Sequence, residues 1–129
     1  MADKQEKGRL GEDAVCEELI RRGHTIVARN YHKRVGEIDI ISRIGDFIVF
    51  TEVKTRRLGS MVSGLEAVNF AKKKKIVLTA DAYLTENPCK LWVRYDIAEV
   101  WITRGENPHI TRVDIYEDAF DTEGVYTVN

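Results

Sequence analysis

Apolar residues recur at helical spacing between residues 4 and 22, where Val15, Cys16, Leu19 and Ile20 share one stripe with Gly8, and Gly23 supplies the stop. The pattern then shortens to the period of a strand. "HTIVARNY" (24–31) reads as one strand, and "GEIDIISRIGDFIVFTEVKTR" (36–56) as two, rich in Ile, Val and Phe and joined at Gly45-Asp46. "RRLGSMVSG" (56–64) is a Gly- and Ser-bearing, mobile-looking loop; helical spacing returns from Leu65 to about Thr85 before "ENPC" ends it. "KLWVRYDIAEVWITR" alternates as one or two strands, and "HITRVDIY" as another. The order helix, three strands, helix, strands predicts a single α/β domain over residues 1–129. Its mixed central sheet is flanked by helices, and 120–129 form a loosely ordered tail.

The hairpin raises a chemical question, because Glu37, Asp39, Glu52 and Lys54 lie inside strands whose other residues are built for burial. Gly at the first central position suits a type II′ turn, and such a turn at 45–46 pairs residues whose numbers sum to 91. Asp39 then faces Glu52 and Glu37 faces Lys54 on one side of the sheet, with Ile38, Ile40, Val49 and Val53 on the other. A cross-strand ion pair accounts for Glu37 and Lys54. Asp39 opposite Glu52 has no such account, since facing carboxylates repel, which raises one pKa or calls for a cation between them. A hard divalent ion such as Mg²⁺ takes oxygen ligands, often one or two carboxylates with water and substrate phosphate. Lys54 would stand beside that ion.

Two helical residues point toward the same region. Glu12 occupies the middle of the inward stripe of the first helix, unlike Asp13, Glu17 and Glu18. Lys72 shares a stripe with Val68, Ile76, Thr79 and Tyr83, where a snorkelling lysine and a site contact are equally good readings.

Composition adds a boundary and a hint. With 43% hydrophobic and 32% charged residues the chain suits one globular domain, and its longest uninterrupted apolar run, "FIVF", is too short to span a membrane. The first 13 residues are charged and predict no secretory leader, and Cys16 and Cys89 have neither metal-ligand spacing nor the look of a disulfide framework. A cytoplasmic protein is expected. The net charge of −1 conceals an asymmetry: residues 1–95 carry 18 Lys and Arg against 13 Asp and Glu, whereas 96–129 carry two against eight. Basic clusters at "RNYHKR", "KTRR" and "KKKK" hint at a polyanion partner, although solvated lysines on an exposed helix explain the last equally well.

Asp39, followed by Glu52-Val53-Lys54 at the end of the next strand, resembles the D-x(n)-(D/E)-x-K signature of the PD-(D/E)xK nuclease superfamily, with Ile38 in place of its nominal proline. The ensemble "GRLGE…RNY…GEIDII…FTEVKTRR…KKI…AYL…RYDI" resembles the YraN-like family of small bacterial proteins with a restriction-endonuclease-like fold, from Gly8 to about Phe120. That family is similar in turn to archaeal Holliday-junction resolvases, which cut branched DNA using Mg²⁺. The resemblance implies a site in which Asp39, Glu52 and the Val53 carbonyl hold Mg²⁺ (or Mn²⁺), Lys54 orients or activates the attacking water, and Glu12 adds an acidic contact.

On this reading the chain is a metal-dependent DNA endonuclease. Lys33, Arg34, Arg56, Arg57, Lys72 and Lys75 would hold the phosphate backbone, with Glu37, Arg94 and Asp96 as supporting residues. With no base-reading module visible, cutting directed by branched or damaged structure is expected rather than by sequence. The alternative is a non-catalytic nucleic-acid-binding or adaptor module on the same fold. A third reading is a structural partner that uses the acidic C-terminal strands; a homodimer and a DNA-processing protein partner both remain open. "GRLG" lacks the preceding strand of a KH domain, His24, His32 and His109 are scattered, and no nucleotide-binding P-loop is present.

Overall fold

The Gly45-Asp46 turn fixes the centre of the sheet. In the computed structural model of the chain, which describes residues 4–59 and 68–127, Gly45 has φ +53° and no positive φ follows at Asp46. That is the type II′ pattern, and it pairs Ile44 with Phe47 and onward to Ile40 with Thr51, in the expected register. The elements are α1 (Lys4–Arg21), β1 (Thr25–Lys33), β2 (Gly36–Ile44), β3 (Phe47–Arg57), α2 (Phe70–Glu86), β4 (Trp92–Ile102) and β5 (Ile110–Phe120). The strands form one sheet in chain order. Neighbours are antiparallel except β3 and β4, which run parallel from Phe47↔Trp92 to Arg57↔Ile102 because α2 carries the chain back between them. The helix-strand order read from the pattern is therefore correct, and the mixed sheet with its two helices is consistent with a restriction-endonuclease-like core. Of the loop expected over 56–64, Arg56 and Arg57 instead extend β3 and 58–59 turn; its remainder and the helix start expected at Leu65 lie outside the described residues, and α2 starts at Phe70.

Each helix covers one face. Ile38, Ile41, Ile48, Phe50 and Tyr95 pack with Ile76, Val77, Ala80 and Tyr83 of α2. On the other face Val15, Cys16 and Leu19 of α1 pack with Ile40, Ala98, Val100 and Ile102. Ile20, expected on the inward stripe, is 58% exposed. Gly11 takes the inner position instead: a Cβ there would overlap the Thr55 hydroxyl, so a side chain is excluded where α1 crosses β3. Asn69 starts α2, its side chain accepting the Lys72 N–H at 3.0 Å. The segment after β5 also departs from expectation. Rather than trailing loosely, its described part folds back, burying Val125 under α2 and directing the Tyr126 hydroxyl to Asp81 at 2.7 Å. Among the described residues, no helix is long and apolar enough to cross a membrane.

The end of α1 yields a pH prediction. Gly23 (φ +101°) donates to Ile20 and His24 to Leu19, which is a Schellman stop that turns the His24 ring into the core against Ser42 Oγ at 2.8 Å. Burial, then the nearby Arg94 charge, holds the His24 pKa below its ordinary value. The unfolded chain thus binds a proton more readily, so stability is full above the ordinary histidine range, about 6.5, and falls as pH drops through it. Thermal melts at pH 5 and 7.5 should show a lower midpoint at pH 5. His24→Asn, which keeps a partner for Ser42, should shrink that difference; an unchanged difference would remove His24 as its source.

Candidate active site at the sheet fork

β2 and β3 part company at Asp39. Their pairing ends at Ile40↔Thr51, and beyond it β2 stays with β1 (Ile38↔Tyr31 to Gly36↔Lys33) while β3 stays with β4 as far as Arg57↔Ile102. The Asp39 carboxylate stands in this fork and accepts the Val53 N–H at 2.7 Å, a backbone donor freed where the ladder stops.

The strands also break their alternation here. Ile38 and Ile41 both pack under α2, while Ile40 packs under α1. Residues an odd number apart share a face only if the chain twists between them, so Asp39 and Ile40 both turn toward α1. The expected grouping of Ile38 with Ile40 and Val53 on one face fails for this reason. Asp39 lines a hollow of about 280 Å³ with Lys7, Gly8, Glu12, Val53, Thr55 and Arg57. The expected pairing of Glu37 with Lys54 fails as well, since Glu37 lies against His32 Nε2 of β1 at 3.4 Å.

Glu52 approaches the fork from the α2 side. Its side chain is 5% exposed, with Lys54 Nζ and Lys72 Nζ each 3.4 Å from Oε1. Lys72 thus reaches across from α2 to the carboxylate of Glu52. Asp39 and Glu52 come within hydrogen-bonding reach around the open end of the ladder rather than as directly opposed residues on a flat sheet. Burial first, then the charge of Glu52, pushes Asp39 up to about 8, against the opposing pull of the Val53 N–H. Glu12 adds to the negative charge that Asp39 feels. Its own pKa is raised, mainly by burial; the Asn30 side chain and Arg29, whose Nη2 lies 3.7 Å away, oppose that rise.

Other expected residues lie elsewhere. Lys33 is tied to Glu86 at 2.6 Å. Arg34 is exposed in the β1–β2 connection, and Lys75 is exposed on α2. Arg57 lines the Asp39 hollow, whereas Arg56, its neighbour along β3, is in register with Trp101 of β4. Arg94 and Asp96 form an internal ion pair through two bonds of 2.9 Å, and Asp96 Oδ1 also takes the Asp118 N–H. Sequence reasoning missed Arg29 and Asn30 as single residues. They line a second hollow, of about 740 Å³, together with Arg9, Glu12, His32 and Glu37. The one available signal for Asn30 was an amide in the middle of a strand pattern, a residue type that tolerates left-handed backbone.

Two carboxylates and one peptide carbonyl would give a hard divalent cation three oxygen ligands and leave positions open for water, with the Lys54 ammonium beside them rather than among them. Among the described residues, no three His, Cys, Asp or Glu side chains group closely enough to hold a metal by themselves.

A family model described as "Uncharacterised protein family UPF0102" matches residues 11–100, a span containing Glu12, Asp39, Glu52, Lys54 and Lys72. The chain is 40% identical to a UPF0102 protein of Desulforapulum autotrophicum, over 93% of this chain and 97% of that one. It is 40% identical to one of Rhodococcus jostii, over 93% and 100%, and 36% identical to one of Clostridioides difficile, over 84% and 96%.

Proposed function

The chain belongs to the UPF0102, or YraN-like, family, and we propose that it is a metal-dependent endonuclease that hydrolyses phosphodiester bonds of branched or damaged DNA. One observation carries the reading. Two carboxylates from adjacent strands, Asp39 and Glu52, meet at the fork with Lys54 beside Glu52, an arrangement that makes ionised Asp39 costly and that a divalent cation between them would relieve.

Asp39, Glu52 and the Val53 carbonyl would hold Mg²⁺ or Mn²⁺. When bound, such an ion lowers the pKa of water and neutralises charge on a phosphoryl group. The rest falls to the chain. The Val53 N–H fixes the rotamer of Asp39. Lys54, at 3.4 Å from Glu52, places an ammonium where it can orient a water or stabilise charge developing on the phosphate. Arg57, Arg9 and Lys7 line the hollows that meet at Gly8 and Glu12, and would grip the nucleic-acid backbone on either side.

The alternative, a nucleic-acid-binding module without catalysis, is favoured by one feature: Lys54 and Lys72 already balance Glu52, as they would in a site that never takes a metal. A panel of labelled duplex, flap, fork, four-way junction and single strand, incubated with Mg²⁺ or Mn²⁺, decides between them. Cleavage is expected, faster on the branched members. Binding without cleavage of any member under either metal would hand the case to the binding module.

A further inference from the structure

Asn30 has φ +51° in the middle of β1, a left-handed conformation that side chains other than Gly rarely adopt. Two explanations drawn from packing fail. Asn30 is exposed, so no buried neighbour forces it. Nor does an inserted residue at that point: the register shift of this pair lies earlier, between Ile26 and Ala28, and Arg29↔Ile40 and Tyr31↔Ile38 keep one register on either side and leave Asn30 opposite Asp39.

The backbone there serves the twist. Ala28 and Tyr31 both pack under α2, three residues apart, while Arg29 reaches Glu12 and Asp13 of α1. The alternation of β1 therefore breaks at 29–30, as that of β2 breaks at 39–40. The two breaks are matched across the pair, with Arg29 and Asn30 facing α1 beside Asp39 and Ile40. Without the left-handed residue, β1 would hold β2 in regular alternation and the Asp39 side chain would turn back toward α2. The side chain of the same residue lines the hollow it shares with Glu12, where its amide opposes the rise in the Glu12 pKa.

We propose that Asn30 is a positioning residue: its left-handed backbone turns Asp39 out of the sheet into the fork, and its amide fixes Glu12 against it. The proposal rests on the nuclease reading, and it assigns to one side chain two separable tasks. Gly performs the first and lacks the second; Ala is poor at the first and lacks the second.

The test compares Asn30→Gly, Asn30→Ala and wild type in the full chain, by Mn²⁺ titration and by single-turnover cleavage of a four-way junction. Asp118→Gly is the control, since Asp118 (φ +51°) sits at a left-handed position in β5, two strands away from β3 and outside the β1–β2 pair. Asn30→Gly should melt no lower than wild type yet lose about 10-fold in Mn²⁺ affinity or cleavage rate, the lower end of what removing a residue that orients metal ligands costs. Asn30→Ala should lose more, about 100-fold at the upper end, and should melt lower. Asp118→Gly should cleave like wild type. If Asn30→Gly and Asn30→Ala both bind Mn²⁺ and cleave like wild type, the positioning role is wrong and the nuclease stands. If wild type neither binds Mn²⁺ nor cleaves, the nuclease reading falls and takes this role with it.

Discussion

Lys54→Ala should bind branched DNA almost as tightly as wild type and cut it at least ~100-fold more slowly, the scale of losing a contact made in the transition state. The structure explains why the two effects separate. Lys54 is one cation among many on this surface, so its share of backbone affinity is about one phosphate contact at most. Its place is particular, however, with Nζ 3.4 Å from Glu52 at the fork. The variant should also stay folded, because Lys72 remains 3.4 Å from the same Glu52 oxygen and keeps that buried charge compensated. Arg57→Ala should show the opposite split. Arg57 lines the hollow without touching Glu52, so its loss should weaken binding and flatten the salt dependence by about one contact while the single-turnover rate at saturating enzyme holds. Binding in Ca²⁺ and cleavage in Mg²⁺ measure the two quantities separately. Lys54→Ala cutting at the wild-type rate would reassign the lysine to charge balance, and loss of the rate in Arg57→Ala would place Arg57 among the groups acting on the reacting phosphate.

How much of this was legible in the sequence depends on the range of the interaction involved. The hairpin register followed from one glycine, because a two-residue turn leaves a single pairing and Gly45 allows its left-handed step. Glu12 was legible because it lies mid-helix on the stripe of Val15, Cys16 and Leu19, which is buried. The faces of β2 were not. Strand alternation places side chains only while each residue has ordinary extended backbone, and the left-handed conformation of Asn30 inverts the rule for its own strand and its partner. Nothing local to Ile38 or Ile40 announces this, since both are buried isoleucines and either face would take them. Lys72 was ambiguous for a related reason: four consecutive lysines point all round the helix, and only the crossing of α2 over the sheet selects the one that meets Glu52. Ile20 shows the limit of a wheel near a helix end, where the stripe residue in the last turn stays in solvent.

Asp39→Asn should remove the response of the fold to metal while making the metal-free protein more robust. Wild type pays for two neighbouring carboxylates in a partly desolvated fork, and a divalent cation relieves that cost; at 100 times Kd the linkage amounts to about 2.7 kcal/mol of added stability. Asn retains an oxygen that can accept the Val53 N–H now taken by Asp39 Oδ2, but it carries no charge with which to hold the cation. The metal-free comparison has a definite sign. Asp39 is raised toward about 8 in the folded protein, well above the unfolded carboxylate value of about 3.9. Its contribution is therefore full below the unfolded value and is lost as pH rises toward 8, because the folded state alone resists ionisation. Asn has no such loss, so in the absence of metal the variant should overtake wild type as pH rises from 5 to 9. Melts at both pH values, with EDTA and with millimolar Mn²⁺, give all four comparisons. A wild-type midpoint indifferent to Mn²⁺ would count against the metal site itself. A variant that still gained stability from Mn²⁺ would place the ion elsewhere, on ligands that do not include Asp39.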